Sequence, residues 1–294
     1  MTNMDKLYEA VEARGPVCVG LDTDFSYLPA DFVDSTLTKG ENIVRFNKKL
    51  IDATKAVAGC YKVQIAYYES LGLDGMRAYA ETLKLARATG LPVIADIKRG
   101  DIGSTAAAYA AHIGGTEIAG ERFDLWHEDF VTVNPYLGID GIQPFIDACN
   151  KENKGIFVLV KTSNPSSSQL QDILVDSKPV YLHVAALVDE WGRGAMGASG
   201  YSRVCAVVGA PHRAEGARVR AALPHTFFLV PGYGAQGGTA EDIRGFFDKD
   251  GRGCIGNSSR GIIAAYKKNE KYGEHDFADA ARDAALAMKK DIMG

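Results

Sequence analysis

The sequence is poor in cysteine: Cys18, Cys60, Cys149, Cys205 and Cys254 are its five thiols in 294 residues, and no two are spaced as a zinc knuckle or a dithiol redox motif. An odd, scattered set in a chain of this size excludes a disulfide-stapled scaffold. Four of the five sit in apolar, strand-like contexts, where a thiol packs as a small hydrophobe. No stretch of about 20 apolar residues occurs, so no membrane partner is expected. Residues 1–14 lack the apolar run of a signal peptide, which leads to the expectation of a cytoplasmic protein. Charge of one sign is also scarce. The 33 Lys+Arg and 37 Asp+Glu leave a net charge of −4, and no nucleic-acid partner is expected, because binding a phosphate backbone needs a concentrated cationic face. A local site for one phosphate is not excluded by that balance. The six histidines (112, 127, 183, 212, 225 and 275) show no metal-ligand spacing, so no metal is expected. Ser166, Ser167 and Ser168 lack the setting of a nucleophile elbow, which excludes a serine hydrolase of that type. No glycine fingerprint supports a dinucleotide site.

What the sequence does contain is an ordinary globular balance, 46% hydrophobic and 24% charged, arranged as a repeating alternation. Short runs rich in Val, Ile, Phe and Cys occur at Val17–Asp22, Cys60–Ala66, Pro92–Lys98, Phe130–Asn134, Gly155–Lys161, Val204–Val208, Thr226–Val230 and Gly253–Gly256. Each is nearly continuously apolar, the pattern of parallel strands covered on both faces. Amphipathic helices fall between them. Glu41–Ala58 places Ile43, Val44, Phe46, Leu50, Ile51 and Val57 near one face, and Asp74–Thr89 does so with Met76, Tyr79, Leu83 and Ala86 before Gly90 and Pro92 stop it.

Eight strand–helix units at this length predict an α/β fold, a single-domain (β/α)8 TIM barrel over residues 1–294. A doubly wound open sheet is the rival, and the Asp-Thr-Asp that follows the first run, in place of a glycine fingerprint, argues against it. Two connections are long, between strands 1 and 2 and between strands 5 and 6. The second holds Asn164-Pro-Ser-Ser-Ser and a helical segment near Tyr181–Trp191, and is a candidate lid or added subdomain.

A barrel of this kind works at the C-terminal ends of its strands. Strand 1 ends in Asp22. Strand 2 carries Lys62 and Gln64, and strand 3 carries Asp96 and Lys98, each pair two apart and so on one side. Asp101 follows, at the start of a helix opened by Gly103-Ser104-Thr105. Three acidic and two basic groups are thus expected at one mouth. A salt-bridge network closing the barrel top is the bland reading; the sharper one is catalysis, since buried charges are costly to retain for stability alone. A Lys held between aspartates stays protonated and can act as a general acid or stabilise a carbanion. Strands 7 and 8 run into Pro231–Gly238 and Gly256–Gly261, whose glycines, with Gln236 and Arg260, suit a phosphate at its usual place in this fold. The strand-7 loop is a second candidate lid.

The run Asp96-Ile-Lys98-Arg-Gly-Asp101-Ile102 resembles the signature of the orotidine 5′-phosphate decarboxylase family, and Gly103-Ser-Thr105-Ala-Ala-Ala-Tyr is similar to its second, longer bacterial branch. Val19–Asp22, Lys62–Glu69, Val133–Gly138, Lys161–Pro165, Pro231–Gly238 and Arg260 extend the resemblance over nearly the whole chain. The resemblance implies a cofactor-free conversion of orotidine 5′-monophosphate to UMP by a homodimer with shared active sites. Lys98 would stabilise and then protonate the developing carbanion, with Asp96 beside the substrate carboxylate. Asp101, Ile102 and Thr105 would come from the partner subunit. Asp22 and Lys62 match ribose contacts, Ser163 the pyrimidine contact, and Gln236 and Arg260 the phosphate contacts; Gln64 has no assigned partner. The Asp-x-Lys-x-x-Asp core is shared with metal-dependent sugar-phosphate decarboxylases and aldolases of the same superfamily, and a non-catalytic nucleotide-binding barrel is a further alternative.

Overall fold

The computed structural model describes residues 1–124, 126–211, 213–234 and 237–294. Among them, eight parallel strands close into a barrel in which every strand pairs with its neighbours in sequence. These are β1 (Val17–Gly20), β2 (Cys60–Gln64), β3 (Val93–Arg99), β4 (Phe130–Val133), β5 (Gly155–Lys161), β6 (Ser202–Val208), β7 (Thr226–Pro231) and β8 (Cys254–Ser258). The closing pair, β8 on β1, runs in register from Val17↔Gly256 to Val19↔Ser258. The predicted barrel is therefore observed, and the open sheet is excluded by that closure.

Helices pack around it: α1 (Asn3–Arg14), α2 (Lys39–Thr54), α3 (Gly72–Arg87), α4 (Gly103–Gly114), α5 (Ile139–Glu152), α6 (Val180–Gly192), α7 (Arg213–Ala222), α8 (Ala240–Arg244) and α9 (Phe277–Met293). Helix α2 starts earlier than its apolar periodicity suggests because Thr38 and Glu41 form a capping box. The Thr38 hydroxyl accepts the Glu41 N–H at 3.1 Å, and the Glu41 carboxylate accepts the Thr38 N–H at 2.7 Å. Its buried Phe46 stacks on Phe277 of α9 at 4.7 Å between ring centroids. The long connection between β5 and β6 contains α6, which packs on both strands in the regular place of a barrel helix. The short helices Pro165–Ser167 and Ser168–Gln171 and a short antiparallel ribbon, Leu174–Val175 with Lys178–Pro179, precede it.

The core has two parts. One lies between strands and helices; the other fills the barrel. Inside, alternation along each strand stacks side chains in layers. The lower layer is apolar: Cys18, Cys60, Ile94, Phe130, Phe157, Cys205, Phe227 and Ile255. Two residues further along the same strands, the inward row becomes Lys62, Asp96, Thr132, Leu159, Val207, Leu229 and Asn257, which line an open cavity. The floor is closed by α1. Its sequence reads as polar, yet Met4, Leu7 and Val11 fall on one face and are buried in the barrel's lower core. The strand order thus converts one step of two residues into a change from dry core to charged site.

Candidate active site

The upper cavity has a volume of about 620 Å³, within the range of sites that enclose a small ligand. Four charged side chains form an alternating chain along its wall. Asp22 Oδ1 accepts from Lys62 Nζ at 2.8 Å, Lys62 Nζ stands 3.2 Å from Asp96 Oδ2, and Asp96 Oδ1 accepts from Lys98 Nζ at 2.6 Å. The chain is deepest at Lys62, whose side chain is 3% exposed, and opens at Lys98, whose side chain is 47% exposed. Lys98 is therefore the cation with room to meet a ligand.

The electrostatics follow from this order. Burial by itself would raise the Asp96 carboxyl, but the ammonium groups of Lys62 and Lys98, with hydrogen bonds from Lys98 and Thr132, outweigh it and hold the group down at about 2. For Lys62 burial opposes charge, yet the facing Asp22 and Asp96 carboxylates push its ammonium above the ordinary lysine value. Both groups are charged at neutral pH. A ligand anion placed beside Asp96 is repelled by a carboxylate that cannot take up a proton, and negative charge developing near Lys98 is stabilised.

Backbone geometry explains how short loops hold these groups. Asp22 lies beyond β1, which stops at Gly20. Leu21 still donates to the Lys62 carbonyl at 2.7 Å and accepts from the Tyr68 hydroxyl at 3.0 Å. Thr23 donates to the buried Asn47 at 2.7 Å, and Asn47 donates to Tyr68 at 2.9 Å. Ser259 approaches across the barrel mouth and donates to Asp22 Oδ2 at 2.9 Å. Gly20 is required for this approach, since a Cβ there would lie 1.9 Å from Ser259 Oγ. Gly209 does the same for the β5 loop, which would otherwise bring the Ser163 Cα within 2.7 Å of a Cβ. That loop is anchored from below by the buried Lys161, whose ammonium donates to Asp172 at 2.6 Å and Ser167 at 3.3 Å.

The structure brings most of the expected residues together. Asp22, Lys62, Gln64, Asp96, Lys98, Ser163 and Arg260 all line the cavity. Asp101 does not, which corrects the expectation of five charges at one mouth. In this chain it turns away and its Oδ1 accepts the Ile102 N–H at 2.8 Å; Ile102 is 54% exposed and Thr105 is also exposed, at the start of α4. Gln236 lies outside the described residues. The shared side of Asp96 and Lys98 also has a different origin from simple alternation. β3 slips register against β4 between Ala95 and Arg99, and Lys98 adopts a left-handed φ of 46°. Such a conformation costs a non-glycine residue about 1–3 kcal/mol and persists only where its surroundings enforce it.

Three contributors escaped the sequence reading. Thr132 donates to Asp96 Oδ1 at 2.8 Å, but a threonine in an apolar strand gives no signal of its own. Ser259 stands within a glycine-rich turn, where a serine carries no signal of its own. Asn257 is buried and inward-facing, and its Oδ1 has no hydrogen-bond partner among the described residues, which leaves an acceptor available at the cavity wall. Its position on the inward row of β8, two residues beyond Ile255, is the signal that would have found it.

Comparison with known proteins agrees with this geometry. A family model described as Orotidine 5'-phosphate decarboxylase / HUMPS family matches residues 15–274. The chain is 46% identical over 291 residues to an orotidine 5'-phosphate decarboxylase of Clostridium botulinum strain Langeland, covering 98% of both chains. It has the same identity and coverage to the protein of that name from Clostridium acetobutylicum. Among solved structures, the OMP decarboxylase of Leishmania donovani superposes with a TM-score of 0.77 at 30% identity, covering 100% of this chain and 98% of that one. With a family model matched over residues 15–274, this level of identity over 98% of the chain and a barrel that superposes, the chain belongs to the orotidine 5′-phosphate decarboxylase / HUMPS family.

Proposed function

We propose that this chain decarboxylates orotidine 5′-monophosphate to UMP in de novo pyrimidine synthesis, with Lys98 as the proton donor and without a metal or cofactor. The observation that carries this reading is the Asp22–Lys62–Asp96–Lys98 chain, which puts a buried carboxylate and a half-exposed ammonium side by side in the wall of a cavity large enough for a small ligand.

In this reading the substrate carboxylate lies beside Asp96, whose ionised state makes the bound ground state unfavourable. The bond from the pyrimidine carbon to CO2 breaks and leaves its electron pair on the ring carbon. The Lys98 ammonium stabilises that pair and then donates a proton to it, giving UMP and a neutral amine that solvent reprotonates. Two unit charges about 4 Å apart interact by roughly 4 kcal/mol at an effective dielectric of about 20. No single contact therefore supplies the roughly 8–23 kcal/mol typical of enzymes. The rest is assigned to ligand groups far from the reacting carbon: Asp22 and Lys62 on the ribose, Ser163 on the pyrimidine, Gln236 and Arg260 on the phosphate. Binding energy from these contacts orders the charged chain. The reading places the protein in the cytoplasm, which suits its five free, buried thiols.

The reading also assigns a homodimer. Ile102 and Thr105 stand exposed and Asp101 half-buried just past the end of β3, off the cavity lining, which suits residues that complete the site of a second copy. Exposed Tyr136, Leu137 and Ile139 nearby in sequence to β4 add apolar surface for such a contact.

Replacement of the two key cations separates their roles. Lys98→Ala abolishes turnover while UMP still binds by calorimetry; Arg260→Ala weakens affinity for the phosphorylated ligand. Wild-type activity in Lys98→Ala would remove the mechanism. The acid limb of stability is a second check. The Asp96 carboxyl titrates at about 2 in the fold against about 3.9 unfolded, so its contribution of about 2–3 kcal/mol is complete above about pH 4 and lost as pH falls through about 2. In urea unfolding, the gap between wild type and Asp96→Asn narrows over that interval. A gap that stays constant with pH would contradict it. For the dimer, Lys98→Ala and Asp101→Ala proteins, each inactive alone, regain about a quarter of wild-type turnover when their subunits are mixed, because half the dimers then carry one intact site. Failure to recover activity in a mixture shown to exchange subunits would place Asp101 elsewhere.

A further inference from the structure

The Ile97–Lys98 peptide sits where β3 leaves its ladder. β3 pairs with β4 at Ala95↔Val131 and again at Arg99↔Val133, so Asp96, Ile97 and Lys98 stand opposite Thr132 alone. Both polar groups of that peptide are taken up by side chains. The Lys98 N–H donates to Thr132 Oγ1 at 2.9 Å, and the Ile97 carbonyl accepts from Arg99 Nη1 at 3.0 Å. These are the two ends of one peptide group, and its orientation sets the left-handed φ of Lys98. A lysine does not hold that conformation unaided.

Each of the two holders is itself held. Arg99 Nη2 donates to Glu69 Oε1 at 2.5 Å, and its guanidinium lies 5.6 Å from the centroid of the Tyr109 ring of α4. Glu69 ends the one-turn helix Ala66–Glu69 that follows β2, the strand that carries Lys62. The Thr132 hydroxyl spends its proton on Asp96 Oδ1 at 2.8 Å, the same oxygen that accepts from Lys98 Nζ. A ring results: Lys98 backbone to Thr132, Thr132 to Asp96, Asp96 to the Lys98 side chain. Arg99 closes it from outside and does not line the cavity.

We infer that Arg99 and Thr132 are positioning residues that clamp the Ile97–Lys98 peptide from its two ends and so aim the Lys98 ammonium at the reacting carbon. The inference rests on the assignment of Lys98 as the proton donor. It makes Arg99, on the motif between Lys98 and Asp101, a contributor to turnover and not to ligand affinity, although it touches no ligand.

The test compares Arg99→Met, Thr132→Val, Thr132→Ser, Glu69→Gln and Lys98→Ala, each checked for a native circular dichroism spectrum. The rate and KM for orotidine 5′-monophosphate and the Kd for UMP are measured for each. Arg99→Met and Thr132→Val lower kcat by about 100-fold, the penalty of misplacing a reacting group by about 1 Å. KM and the UMP Kd stay within about threefold, as expected for an interaction that matters only in the transition state. Thr132→Ser, which keeps the hydroxyl, recovers most of the rate, and Glu69→Gln falls between Arg99→Met and wild type. Should one variant fail to fold, Glu69→Gln and Thr132→Ser still report on its end of the clamp. Near-wild-type kcat in Arg99→Met and Thr132→Val beside an inactive Lys98→Ala would overturn the clamp and leave the role of Lys98 intact. A loss in KM and Kd with kcat unchanged, or Thr132→Ser as slow as Thr132→Val, would overturn it as well. An active Lys98→Ala would instead strike the assignment beneath it.

Discussion

The Asp96 carboxylate, held inside the barrel between the ammonium groups of Lys62 and Lys98, is the constraint on which the rest of the site depends. A buried carboxylate with no counter-charge takes up a proton and becomes a neutral acid. With two cations and a threonine hydroxyl on its oxygens it stays ionised far below neutral pH. That single fact fixes the other positions. Lys62 needs Asp22 as its second partner, Asp22 needs Ser259 and the loop tied down by Tyr68 and Asn47, and Lys98 needs a bulged strand to reach the outer oxygen of Asp96. The arrangement is neutral as a whole, two carboxylates against two ammonium ions, so its burial costs less than the separate charges would. The salt-bridge network and the proposed catalytic chain use the same contacts, so the two readings describe one object.

The fold was legible because all eight strands carry apolar residues on both faces. Parallel strands in a closed barrel have no solvent side, and the runs of Val, Ile, Phe and Cys announce that directly. The observed strands fall within a few residues of each run. The helix at Asn3–Arg14 is not legible, because a helix that plugs the barrel floor needs only Met4, Leu7 and Val11 on its inner face, and Asp5, Lys6, Glu9, Glu12 and Arg14 make the rest read as polar. The β5–β6 connection looked like an addition because its loop and ribbon precede a helix of ordinary place.

The site was legible where charge stands out against an apolar strand: Asp22, Lys62, Asp96 and Lys98 are conspicuous for their surroundings. Arg260 and Ser163 were found through loop position and resemblance. Thr132 and Asn257 were not, since neutral polar residues in strands have many structural uses, and only their place on the inward row separates them. Asp101 shows the limit of reading a single chain. Its spacing from Asp96 and Lys98 suggests one shared mouth, but a residue past the end of β3 at the opening of α4 does not line the cavity of this chain. The left-handed turn at Lys98 has no sequence signature either, because it is imposed by Thr132 and Arg99 through a peptide that neither residue's type reveals.

On the proposed mechanism the charges of this pocket, with no metal, suffice to remove CO2 from orotidine 5′-monophosphate. The most direct measurement is the loss of that compound's ultraviolet absorbance when it meets the purified protein in EDTA. The account predicts rapid conversion to UMP that added magnesium does not change. No conversion with UMP binding intact, or activity on a sugar phosphate that returns only with magnesium, would contradict it.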